Sequence, residues 1–212
     1  MITLIKQEFI VQNQVYNTTK YTMMFFLFCS LSVTLINSYE NIQFFGLIFC
    51  VVSIPLAFIG LSSNLIRPNI EDGTLELMLT SCSSLKIIIA KYISLCACCI
   101  LSFLSVMPVI YIVYNVYIHV LLVLILTSMS MLLLCSSLIV LIASIQGYFR
   151  VNTSFLAILI MPLIIPNIVL SGVLLQNSSD FYLLYIMLGV DLIIIPPALY
   201  LSSYLIENIY NI

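Results

Sequence analysis

Long apolar runs, broken at wide intervals by short polar stretches, dominate this chain. The runs over residues 21–39, 42–66, 92–114, 118–145, 153–175 and 181–206 are each long enough for a helix across a hydrocarbon core, which takes about 20 residues. After Lys91 no charge appears until Arg150, too great a length for one crossing. The most polar point there, Asn115 to His119, marks a turn between two helices. Strands of a membrane barrel alternate apolar and polar positions in short segments, and these runs do not. The pattern predicts an all-α integral membrane protein, one domain over residues 1–212 with six transmembrane helices. Ahead of the first run, Ile2, Ile5 and Phe9 recur at helical spacing, with Lys6, Gln7, Asn13 and Gln14 elsewhere. That spacing predicts a helix lying in the membrane surface.

Composition agrees. The chain is 63% hydrophobic and 7% charged, with a mean hydropathy of +1.25, against about a quarter charged in soluble domains. The few charges then set the orientation. With six spans, Lys6, Lys20, Arg67, Lys86, Lys91 and Arg150 all fall on one side, so both termini are expected in the cytoplasm. The outer connections, around Asn37 to Asn41, Asn115 to His119 and Gln176 to Asp180, are short. No small-residue cleavage pattern follows the first run, which is expected to stay as an anchor.

Candidate chemistry is sparse. The sequence lacks a GxxxxGK[ST] phosphate loop, HExxH, GxSxG and a Gly-rich dinucleotide turn, and the cytoplasmic segments are too short to house a nucleotide-binding domain. A non-catalytic membrane subunit is expected, and any ATP would be bound by a partner. The seven cysteines include a nominal C-x-x-C at Cys96 and Cys99, which inside a span reads as helix packing. The lone histidine, His119, reads as an interface residue, although a His can also ligate haem iron. Asp191 lies within the sixth run, where a carboxylate faces a bundle interior or a polar path. Gly189, Pro196 and Pro197 flank it and offer the other reading, a broken helix that lets water in. Pro162 and Pro166 stand four apart in the fifth run, on one helical face. Each removes a backbone donor, which predicts either a deformable point or a static kink.

The stretch from residue 68 to 86, PNIEDGTLELMLTSCSSLK, concentrates three of the eight acids, Glu71, Asp72 and Glu76, between the second and third runs. Asn69 suits an N-cap, with Glu71 and Asp72 in the first turn. Leu75, Met78, Leu79 and Cys82 then recur as an apolar stripe, and Gly73 weakens the helix or bends it. The reading is a short cytoplasmic amphipathic helix that a partner holds, with the stripe as anchor and the acids setting register. Lipid headgroups are the alternative contact, made less attractive by the acids.

These residues, in this order, resemble the permease subunits of type-2 ABC exporters, and more closely the haem exporter protein B (CcmB) family of cytochrome c maturation. The similarity rests on Asp72 to Glu76 as a D-G-[ST]-L-E segment, on Lys91, and on Pro162 to Pro166 as P-L-x-I-P. The resemblance implies an ABC-2-type bundle with an N-terminal interfacial helix and a cytoplasmic coupling helix between spans 2 and 3. It implies an ATPase-coupling loop at Glu71, Asp72, Gly73, Leu75, Glu76 and Leu79. It implies a subunit without enzyme activity, a homodimer within a complex with a cytoplasmic ATPase (CcmA-like), a haem-handling membrane protein (CcmC-like) and a haem chaperone (CcmE-like). ATP hydrolysis by the partner would then drive haem delivery or release of the loaded chaperone. No directly bound cofactor is expected, haem being cargo of the complex; the tryptophan-rich haem motif of the partner families is missing. The implied location is a bacterial inner membrane, or the mitochondrial inner membrane for an organelle-encoded chain. The alternatives are a permease for a lipid-linked glycan or a drug, and an assembly scaffold without an ATPase.

Overall fold

The computed structural model describes residues 1–34, 42–62, 65–149, 153–176 and 182–209, with the backbone alone at 42 and 153–160. The described elements are all helices: α1 (Ile2–Gln14), α2 (Thr18–Thr34), α3 (Ile42–Leu61), α4 (Arg67–Glu71), α5 (Thr74–Ser81), α6 (Ser84–Tyr114), α7 (Ile118–Phe149), α8 (Thr153–Gln176) and α9 (Tyr182–Asn208). Four of them, α3, α6, α7 and α9, are long and apolar enough to cross a membrane. Each predicted run coincides with one long helix. Among the predicted outer connections, residues 37–41 and 177–180 lie outside the described residues, as does Arg150.

Two boundaries differ from the run boundaries for physical reasons. The second run extends to Ile66, but α3 ends at Leu61, and Leu65 and Ile66 are buried in the core. The third run was started after Lys91, whereas α6 begins at Ser84. Lys91 is buried and paired, so its charge does not mark a helix end.

A central core is formed by α3, α6 and α7, with α9 along α7 and α2 against α3 and α6. The outward faces are apolar, as at Phe28, Ile112, Leu192 and Ile193, which is what a lipid solvent requires. Buried hydroxyls bond back to their own helices: Ser128 donates to Leu124 O at 2.6 Å, Ser144 to Val140 O at 2.8 Å and Ser202 to Ala198 O at 2.6 Å. No water is needed there to satisfy them. Cys98, Cys99 and Cys135 are buried free thiols of this core, and Cys96 bonds Ser136 Oγ at 2.7 Å. Small side chains at these positions let the helices approach closely.

The first helix is helical over the predicted stretch, with Ile5 and Phe9 half-buried. Its buried residues are Glu8 and Gln12, which lie against α6, while Ile2 and Ile10 are exposed. The polar stripe turned inward because α6 presents Lys91 to it.

Candidate functional site

Two places gather the residues that the sequence singled out. The first is an elbow built by α4 and α5 between the two long helices α3 and α6. A single helix starting at Asn69 does not form. Pro68 sits in the first turn of α4, Asp72 closes that helix, and Gly73 takes φ +69° at the start of α5. Only glycine adopts that conformation cheaply, and nothing crowds the space around it. We therefore expect Gly73→Ala to destabilise the elbow by about 1–2 kcal/mol, and Gly73→Asn by less. Thermal unfolding of the three proteins in one detergent checks the order.

The break changes the acids' surroundings. Glu71 stands in the last turn of α4, not in a first turn, and pairs with Arg67 at 2.7 Å across an exposed surface, a contact worth little to stability. Glu76 occupies the first turn of α5, where a helix dipole favours it. Glu71, Asp72 and Glu76 are all exposed.

The apolar stripe is not free for a partner. Leu75 is fully buried, and Met78, Leu79 and Cys82 pack against the same core, so the stripe anchors the elbow to its own chain. Ile70 is seated at Gly147 of α7, where an added Cβ would stand 2.6 Å from Ile70 Cδ1. What the elbow presents outward is the three acids and Leu77, 71% exposed. The hydropathy pattern set Leu77 off the stripe but could not say what holds the stripe, because an amphipathic helix reads the same whether its partner is its own chain or another. Beside α5 runs an open cleft of about 450 Å³, lined by Glu76, Leu79, Thr80, Ser83, Ser84 and Glu207 among others. There Ser84 Oγ donates to Glu207 Oε2 at 3.2 Å. The elbow's charge also reaches the α1–α2 turn: burial, and then the Asp72 and Glu8 carboxylates, push the Tyr16 phenol above its usual value.

The second place lies inside the bundle. Asp191 of α9 is 4% exposed. Its Oδ1 accepts from Asn167 Nδ2 of α8 at 2.8 Å and its Oδ2 from Ser130 Oγ of α7 at 2.5 Å. The broken-helix reading does not hold, since α9 runs unbroken from Tyr182 to Asn208 through Pro196 and Pro197. The carboxyl is capped by side chains of neighbouring helices. Likewise α8 continues through Pro162 and Pro166. All four prolines sit on exposed positions, opposite the buried Asn167, Asp191 and Ala198. Sequence reasoning missed Ser130 and Asn167, which carry no signal until α7, α8 and α9 are brought together.

His119 is exposed and stacks on Tyr117 with ring centroids 5.7 Å apart. Among the described residues no group of His, Cys, Asp or Glu is arranged to hold a metal ion.

Apolar helices long enough to cross a bilayer, lipid-facing apolar surfaces and internally satisfied hydroxyls define an all-helical membrane protein. The chain is 42% identical over 212 residues to an uncharacterized protein of Rickettsia conorii, and to one of Rickettsia prowazekii, covering 100% of this chain and 98% of each relative. It belongs to the family of these proteins. No protein-family model matches the chain, and no solved structure does.

Proposed function

We propose that this chain is the membrane subunit of an ABC-type complex and that the α4–α5 elbow is where a cytoplasmic ATPase grips it. The observation that supports this reading is the elbow's division of labour. Leu75, Met78 and Leu79 fix it to the chain's own core, while Glu71, Asp72, Glu76 and Leu77 point outward. A rigidly seated surface element with an exposed apolar anchor among acids suits a partner groove with basic edges, and suits an anionic leaflet poorly. Being rooted between α3 and α6, such an element would pass a partner's movement directly to two long helices.

In the full proposal six helices cross the membrane, α2, α3, α6, α7, α8 and α9. Both termini and the elbow lie in the cytoplasm with the basic residues. α1 lies at that surface, and two copies make the permease. The cargo assignment, haem delivery or release of a haem-loaded chaperone in cytochrome c biogenesis, rests on the resemblance carried by Asp72 to Glu76, Lys91 and the Pro162 to Pro166 run. The bacterial source of the relatives supports the bacterial inner membrane over an organelle.

The test is a detergent pull-down of the tagged chain with mass spectrometry, wild type beside the combined Glu71→Lys, Asp72→Lys and Glu76→Lys variant. Because all three acids are exposed, the variant is expected to fold as wild type does and to lose the ATPase at least tenfold. Capture of a haem-handling membrane protein with the wild type supports the cytochrome c reading. An ATPase without that protein moves the cargo to another class. An ATPase retained equally by both chains, or captured by neither, removes the elbow as a coupling element.

A further inference from the structure

We infer that Asp191, with Ser130 and Asn167, is a binding site for an exchangeable proton inside the bundle. The site stands whether or not an ATPase grips the elbow.

The first argument is the absence of a compensating charge. The helices packed against α9 are α6, α7 and α8. Their titratable groups on this side, among the described residues, are Tyr92 and Cys96 of α6 and Cys135 of α7. All three are neutral in their ordinary forms. Lys91, although next to Tyr92, faces the other way and pairs with Glu8. A buried carboxylate with no cation beside it among the described residues is costly, and a proton removes the charge where it stands.

The second argument is that both protonation states can be satisfied without moving a heavy atom. Thr127, Ser128, Ser136, Ser137 and Ser144 of α7 all donate to carbonyls three or four residues back. Ser130 instead donates to Asp191 Oδ2. When Oδ2 takes a proton, the new O–H donates to Ser130 Oγ, and the serine hydroxyl turns to its own helix as its neighbours' do. Throughout, Asn167 Nδ2 goes on donating to Oδ1.

The third argument points to the carrier. Asn167 is 0% exposed, and its Oδ1 is a buried acceptor without a partner in the structure. Such an oxygen calls for a donor, and beside Asp191 a water molecule meets that need. Seated there as a hydronium ion, it would transfer one proton to the carboxylate and leave as neutral water. A metal cation is the poorer occupant. The Asn167 amide and the Ser130 hydroxyl each aim a hydrogen at one carboxylate oxygen, which leaves fewer lone pairs for a cation than for a proton.

The full chain in lipid nanodiscs is titrated from about pH 4 to about pH 9 while the infrared C=O stretch of protonated carboxyls is followed. The other acids of the chain give a carboxyl signal that both proteins share; beside it, wild type is expected to show one titrating band that Asp191→Asn lacks. Asn167→Leu keeps the carboxyl but removes a donor to its ionised form, so the band's midpoint is expected to rise by about one pH unit, a tenfold change in proton affinity. Should Asp191→Asn fail to fold, the shift in Asn167→Leu decides. The absence of any titrating band that Asp191→Asn loses, or an unmoved midpoint in Asn167→Leu, overturns the site. So does a wild-type midpoint that sodium chloride shifts and choline chloride does not, since that marks a cation site.

Discussion

Glu8→Ala is expected to cost about 3–5 kcal/mol, a large share of the stability that a folded protein has to lose. Glu8 of α1 and Lys91 of α6 lie 3.1 Å apart with side chains 5% and 2% exposed. Each lost its water to make the contact, and each depends on the other to be tolerated there. Removing the acid strands an ammonium group in the core, and on α1 the buried Gln12 amide, without partners itself, makes no hydrogen bond that could take the acid's place. The single substitution is therefore far worse than losing one hydrogen bond. The same physics predicts rescue: Glu8→Leu combined with Lys91→Met removes both charges and fills similar volume, and is expected to return within about 1 kcal/mol of wild type. Reversible unfolding in mixed micelles measures the difference. Trypsin cleavage at the exposed Lys6 and Lys20 reports whether α1 has left α6. Equal losses in the single and the paired variants would show that the contact is incidental.

The second large effect is centred on Tyr114, which ties three helices together at the end of α6. Its ring lies over Gly46 of α3, where an added Cβ would stand 2.2 Å from Tyr114 Cε1, and its hydroxyl donates to Ser30 O of α2. Gly46→Ala forces a fully buried ring to move, and overpacking of this kind costs about 1–3 kcal/mol. Tyr114→Ala empties the site and is expected to cost about 3–5 kcal/mol. The informative protein is the double variant, in which the alanine at 46 meets no ring and adds almost nothing. A coupling of about 1–3 kcal/mol in that cycle is the signature of direct contact. Strict additivity would separate the two residues.

How much of this was legible follows from what hydropathy counts. The six long helices, the helix before them and the elbow's position all came from local features: unbroken apolar runs, a 3.6-residue period and clustered acids. A glycine ahead of the stripe allowed for the bend at Gly73. Charge was the misleading signal. Lys91 looked like a boundary and proved to be interior, because a charge marks a helix end only when it has no buried partner, and Glu8 lies 83 residues away. The prolines beside Asp191 misled in a related way. They suggested a broken helix, but proline removes only its own N–H, and with these side chains on the outside α9 carries on past them.

By itself, then, the sequence determined an all-helical membrane chain and the order of its elements, because solvent preference and helical period are properties of neighbouring residues. Only the tertiary structure decided which polar groups meet. Glu8 with Lys91, Tyr114 with Gly46 and Ser30, and Asp191 with Ser130 and Asn167 are pairings between helices far apart in the chain. In a medium without water, a buried polar group is tolerated or costly according to the one partner that packing places beside it.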